Sequence, residues 1–90
     1  MFTMRFDLRV PGMGPTEVAD QYAAAVEMAE GAEDKGCVAA VISEHHAAPA
    51  GYLPAPLILA TAMAARTKTL PIAVGSALLP LYDPVKLAED

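Results

Sequence analysis

The sequence predicts an α/β fold built on a parallel sheet. Three observations predict it. Short strand-like segments alternate with helix-length amphipathic ones. The middle strand is an unbroken apolar run of the kind buried in parallel sheets. Gly- and Pro-containing stretches punctuate the boundaries. Strands alternating with helices of this length imply right-handed crossovers. On this pattern alone a doubly wound sheet and a barrel both remain open.

Residues 4–10 alternate apolar and charged side chains and are predicted as the first strand. Pro11, Gly12, Met13, Gly14 and Pro15 form a loop. Thr16 is the predicted N-cap of the first helix, with Glu17 and Asp20 where the helix dipole favours acids. Val18, Tyr22, Ala25, Val26, Ala29 and Ala32 make its apolar face. Lys35 followed by Gly36 signals its end. Residues 37–42 are the second strand, expected to be buried on both faces.

Pro54 and Pro56 open a second helix that runs through Leu57, Ile58, Thr61, Ala62 and Ala65 to about Arg66. Its few charges predict that a barrel wall or a subunit contact covers it. Thr67, Lys68 and Thr69 make a turn. Residues 70–74 form the third strand, with Pro71 tolerated near its start. Asp83 and Pro84 place an N-cap and a first-turn proline on a third helix.

The totals narrow the partners. Ninety residues are 54% hydrophobic, with a mean hydropathy of +0.35. A small domain has much surface for little interior, so such a chain expects more burial than it can provide for itself. The net charge of −5 and six dispersed Lys and Arg give no basic patch, which argues against nucleic acid and anionic membrane. A lone Cys37 fits a buried thiol in a reducing, cytoplasmic compartment. No signal peptide or membrane span is expected: the apolar stretch at residues 57–65 is far short of the ~20 residues a span needs.

In parallel α/β folds ligands bind beyond the C-terminal ends of the strands. The second strand runs directly into Ser43, Glu44, His45 and His46, and these are the chain's two histidines. On an extended backbone Glu44 and His46 point to one side and His45 to the other. Imidazole is the side chain best poised for proton transfer near neutral pH, and a nearby carboxylate can orient it or raise its basicity. The bland alternative is a solvated or hydrogen-bonded His pair on a loop. Three consecutive metal ligands on a diverging backbone are awkward, so no metal site is expected. The third strand runs into Gly75, Ser76 and Ala77, either an ordinary turn or a bulge that lets a flat ligand approach the backbone. Gly12 and Gly14 lack the third glycine of a dinucleotide-binding turn.

From Ser43 onward the residues resemble a known family. Ser43-Glu44-His45-His46, Pro54-Ala55-Pro56-Leu57, Ala65-Arg66-Thr67, the run from Gly75 through Val85, and Leu87-Ala88-Glu89-Asp90 occur in the order and spacing of the bacterial luciferase-like, flavin-dependent monooxygenases. The resemblance implies a (β/α)₈ TIM barrel with flavin at the C-terminal mouth. Such a barrel needs ~250 residues, so residues 1–90 are expected to be the N-terminal portion of one barrel domain. It further implies reduced FMN supplied by a separate flavin reductase, O₂ as co-substrate, oxygenation of a small organic molecule, and a homo-oligomer or dimer. His45 and Glu44 would be the catalytic pair, with His45 moving protons and Glu44 bracing the site. His46, Ser76 and Ala77 would face the flavin, the last two at a bulge that often carries a non-prolyl cis peptide. The family's phosphate-binding loops lie later in the barrel, so the ninety residues alone are expected to be inactive. Two alternatives stand beside this reading. One is a deazaflavin-dependent oxidoreductase of the same superfamily, against which the Glu-His-His triplet weighs, since those relatives more often carry Asp-His. The other is a non-catalytic fragment that associates through open sheet edges.

Overall fold

The computed structural model describes residues 1–9, 14–47 and 53–90. Its elements, in chain order, are β1 (Phe2–Phe6), α1 (Pro15–Asp34), β2 (Cys37–Ile42), α2 (Pro56–Arg66), β3 (Ile72–Val74), a 3₁₀ turn at Leu79–Leu81 and α3 (Pro84–Glu89). The three strands form one parallel sheet in the order β1-β2-β3. Arg5, Val41 and Ala73 lie in register across it, and so do Phe6, Ile42 and Val74.

α1 packs on β1, β2 and α2, and α2 packs on β3. Both crossover helices therefore lie on one face of the sheet. Parallel neighbours joined by right-handed crossovers in a constant direction must behave this way. A doubly wound sheet reverses direction and covers both faces; a barrel wall covers only the outer one. Over three strands this winding is that of a barrel wall and equally that of one half of a doubly wound sheet; in both, one layer of helices leaves the other face of these strands uncovered, and the burial pattern agrees. Phe6, Leu8, Ala40 and Ile42 are buried with Ala25, Ala29, Ala32, Leu59 and Met63, while Thr3, Arg5, Asp7 and Ala73 on the opposite face are exposed.

Several boundaries differ from the sequence reading. β1 begins at Phe2 and its pairing ends at Phe6, because Phe2 through Phe6 find partners on β2 from Cys37 to Ile42. The alternation continues beyond the pairing, with Leu8 buried and Asp7 and Arg9 exposed. Val10 and Pro11, Gly12 and Met13 of the expected loop lie outside the described residues. α1 starts at Pro15, with Gly14 rather than Thr16 in the cap position. Proline suits the first helical position, where its missing N–H has no intrahelical partner to lose. At the other end Lys35 caps the helix and Gly36 takes φ +86°, a conformation glycine adopts without strain.

β2 is not buried on both faces: Val38 is 44% exposed and Val41 is half-buried. A single helical layer covers one face only. β3 is two residues shorter than expected. Pro71 has no N–H for the ladder, and the N–H of Leu70 donates to Glu33 Oε1 instead. Cys37 is a buried free thiol. The Asp83 cap is as expected, with Oδ1 accepting from the N–H groups of Val85 and Lys86. No helix of the described residues is long and apolar enough to cross a membrane.

Candidate functional site

The C-terminal ends of all three strands lie on one edge of the sheet. β2 ends at Ile42, and the chain continues extended through Ser43, Glu44, His45 and His46. The His45 N–H donates to Leu53 O at 2.9 Å, which ties this exit to the approach of α2. The alternation of β2 carries into the exit. Glu44 follows Ala40 and Ile42 onto the helix-covered face and is 3% exposed. His45 is half-buried and by the same alternation falls on the opposite face, the one that carries Arg5 and Asp7.

Glu44 is the buried charged side chain of the core region. Its Oε2 accepts from His46 Nε2 at 2.5 Å, and its Oε1 accepts from the Tyr82 hydroxyl at 2.6 Å and the Leu78 N–H at 3.1 Å. Burial works to raise this carboxyl, but the hydrogen bonds from His46, Tyr82 and Leu78 outweigh it and hold Glu44 below the ordinary carboxylate range. The partner responds in the opposite sense. The hydrogen bond to Glu44, with burial, pushes the Tyr82 phenol up to about 12. Tyr82 is therefore the donor and Glu44 the acceptor.

The β3 exit has the irregular backbone expected of it. Gly75 and Ser76 form a turn, and Ala77 leads into the 3₁₀ turn. The Gly75 N–H donates to Ile42 O at 2.6 Å, so this segment is tied to the β2 exit. A Cβ at position 75 would stand 3.3 Å from Val41 Cγ1, a fit that glycine relieves. Ser76 is exposed and donates from Oγ to Gly75 O; Ala77 is half-buried. The expected cis peptide is absent: every described peptide bond is trans, and the turn at Gly75 and Ser76 supplies the irregularity.

At the β1 exit Arg9 chelates Asp7 through Nε and Nη2, and that hydrogen bonding, more than any other influence, lowers the Asp7 carboxyl. The structure thus brings Glu44 and His46 into direct contact and sets His45 on the other face of the same exit, beside Asp7. Sequence reasoning missed Tyr82. It lies 38 residues beyond Glu44, and no local pattern links the two.

Size does not mark this site. Hollows of about 530 Å³ along α2 and β3 and about 350 Å³ between α1 and α2 are lined mainly by aliphatic residues. A smaller one of about 290 Å³ holds Glu44, His46 and Tyr82 together. Among the described residues no group of three His, Cys, Asp or Glu side chains is arranged to hold a metal ion.

The profile of a family described as luciferase-like monooxygenase matches residues 2–90. The crystal structure of apo-MsnO8 superposes with a TM-score of 0.82 at 32% identity, over 98% of this chain. The chain spans 26% of that protein's length. No curated protein matches.

Proposed function

The chain belongs to the luciferase-like monooxygenase family, and on that premise we propose that residues 1–90 are the N-terminal portion of a (β/α)₈ barrel that oxygenates a small organic molecule with reduced FMN and O₂. The family generally works either with reduced FMN and O₂ or with the deazaflavin F420. The observation that carries the reading is the position of His45. It lies at the exit of a central parallel strand, on the uncovered face, beside an irregular, small-residue exit of the next strand.

The residues present fit the ring end of a flavin. Ser76 and Ala77 are small, and their backbone is free of strand pairing beyond Gly75, so a flat ring can approach it. The phosphate end finds less here. Arg9, the cation at the β1 exit, is ion-paired with Asp7, and Arg66 pairs with Glu30 at the far end of α2. A phosphate anchor on later strands, as in barrels generally, completes the proposal.

When bound, reduced flavin supplies the two electrons with which O₂ is split, one oxygen atom entering the substrate and the other leaving as water. His45 is the proton carrier, since imidazole gains and loses a proton near neutral pH. Glu44 and His46 brace the exit from behind through their 2.5 Å contact. Ser76 and Ala77 form the floor against which the ring would lie. A separate flavin reductase and a cytoplasmic setting accompany this reading.

In a complete barrel carrying these residues, His45→Ala lowers oxygenation by ~10²-fold or more, as loss of a general acid/base does, while reduced FMN still binds. Steady-state turnover beside a flavin titration reads both quantities. Unchanged turnover removes His45 from its role. Hydride transfer from a deazaflavin without oxygenation would replace the reaction but leave the site in place.

A further inference from the structure

We propose that Tyr82 is a positioning residue of the strand-exit site: through its hydrogen bond to Glu44 it fixes both the His46 imidazole and the backbone at residues 75–78. The inference rests on the placement of the chemistry at the strand exits.

The argument begins with the carboxylate. A buried carboxylate must have donors, and its direction is set by where they stand. Glu44 has three from three different places. His46 holds Oε2, while Leu78 N–H and the Tyr82 hydroxyl share Oε1. The shortest bond to Oε1 is the Tyr82 one, at 2.6 Å against 3.1 Å for Leu78.

The second step concerns the platform. Ser76 and Ala77 are pinned on both sides. Gly75 N–H holds one end to Ile42 O, a backbone bond that no side chain can alter. Leu78 N–H holds the other end to Glu44 Oε1. That second pin is only as well directed as the carboxylate, and Tyr82 directs the carboxylate. Tyr82 is itself held: its N–H donates to Leu79 O at 3.0 Å, closing the 3₁₀ turn that brings the phenol back to Glu44. The Asp83 cap then anchors the next residues to α3.

The surroundings add little competing charge. His46 and Tyr82 face Glu44 directly. Asp90 lines the same hollow and is paired with Lys86. Loss of the hydroxyl would leave Oε1 with one weaker donor, so the carboxylate becomes more basic and its grip on Leu78 less directed.

The test uses a complete barrel carrying these residues, labelled with ¹³C and ¹⁵N, with Tyr82→Phe, which keeps the ring and removes the hydroxyl. The Glu44 side-chain carbon is followed against pH, together with the amide resonances of Gly75, Ser76, Ala77 and Leu78. In the variant Glu44 becomes an acid weaker by about tenfold, and the four amides shift or broaden while those of α1 hold. A folded variant with an unchanged Glu44 titration and unchanged amides overturns the proposal. Should the Phe variant fail to fold, Glu44→Gln serves. There the Tyr82 phenol, followed by the ¹³C resonance of its ring carbon beside the hydroxyl, falls from about 12 toward the ordinary value of about 10; a phenol that stays high overturns the proposal equally. Neither readout involves flavin or oxygen, so the His45→Ala assay can fail without touching this result, and the reverse.

Discussion

Glu44 is a charge that burial alone would penalise by several kcal/mol, and three donors reverse that penalty. The consequence is a pH dependence whose sign is fixed. A carboxyl lowered in the folded state contributes stability that is complete above its ordinary value, here 4.5, and is lost as pH falls through the folded value. Asp7 and Glu33 are also lowered and titrate in the same acid window, Asp7 mainly through Arg9 and Glu33 through the Thr69 N–H. We therefore expect the thermal midpoint, followed by circular dichroism, to fall below about pH 4.5, and Glu44→Gln to flatten part of that fall. An equally steep acid limb in Glu44→Gln would contradict the assignment. At this scale the sequence was half legible. The two-residue spacing of Glu44 and His46 on an extended chain already placed them on one side. Tyr82 was not legible, because its contact depends on a 3₁₀ turn and a strand pairing that no local pattern encodes.

The elements were legible where they carry their own punctuation. Gly36 ends α1 and Asp83 with Pro84 starts α3 at the expected places. Boundaries set by distant partners were not. The shortening of β3 is an example: the N–H groups of Lys68, Thr69 and Leu70 all donate to the Glu33 carboxylate at the end of α1, and the Thr69 hydroxyl joins them. One acid thus caps the turn between α2 and β3, on the edge of the sheet opposite the site. In barrels that edge serves stability and the other serves chemistry. Glu33→Ala leaves all four donor groups without their acceptor at once. We expect its thermal midpoint to drop, with the Tyr82–Glu44 titration unaffected. A midpoint unchanged from the parent would show that water replaces the carboxylate without cost.

The whole molecule is a slab of 35 × 34 × 20 Å with helices on one face. A folded monomer of 9.4 kDa is expected to expose ~5,000 Å², and this chain exposes 5800 Å². β1 and β3 each pair on one side only among the described residues, and open edges are templates for further strands. Ile58, Leu79, Leu81 and Val85 are each at least 60% exposed, and a fully buried aliphatic side chain normally contributes ~1.5–3 kcal/mol by leaving water. That driving force remains available for association. The flavin proposal makes the complementary demand: the described residues offer a floor and an imidazole for the ring, while Arg9 is committed to Asp7. We therefore expect the ninety-residue chain by itself to self-associate and to show no saturable FMN binding. Sedimentation velocity on the purified chain, with flavin fluorescence titrated on the same sample, reads both. A monodisperse monomer that binds FMN with micromolar affinity would mean that three strands suffice for the site, and that residues 1–90 act as a small flavin-binding domain rather than as the opening of a barrel.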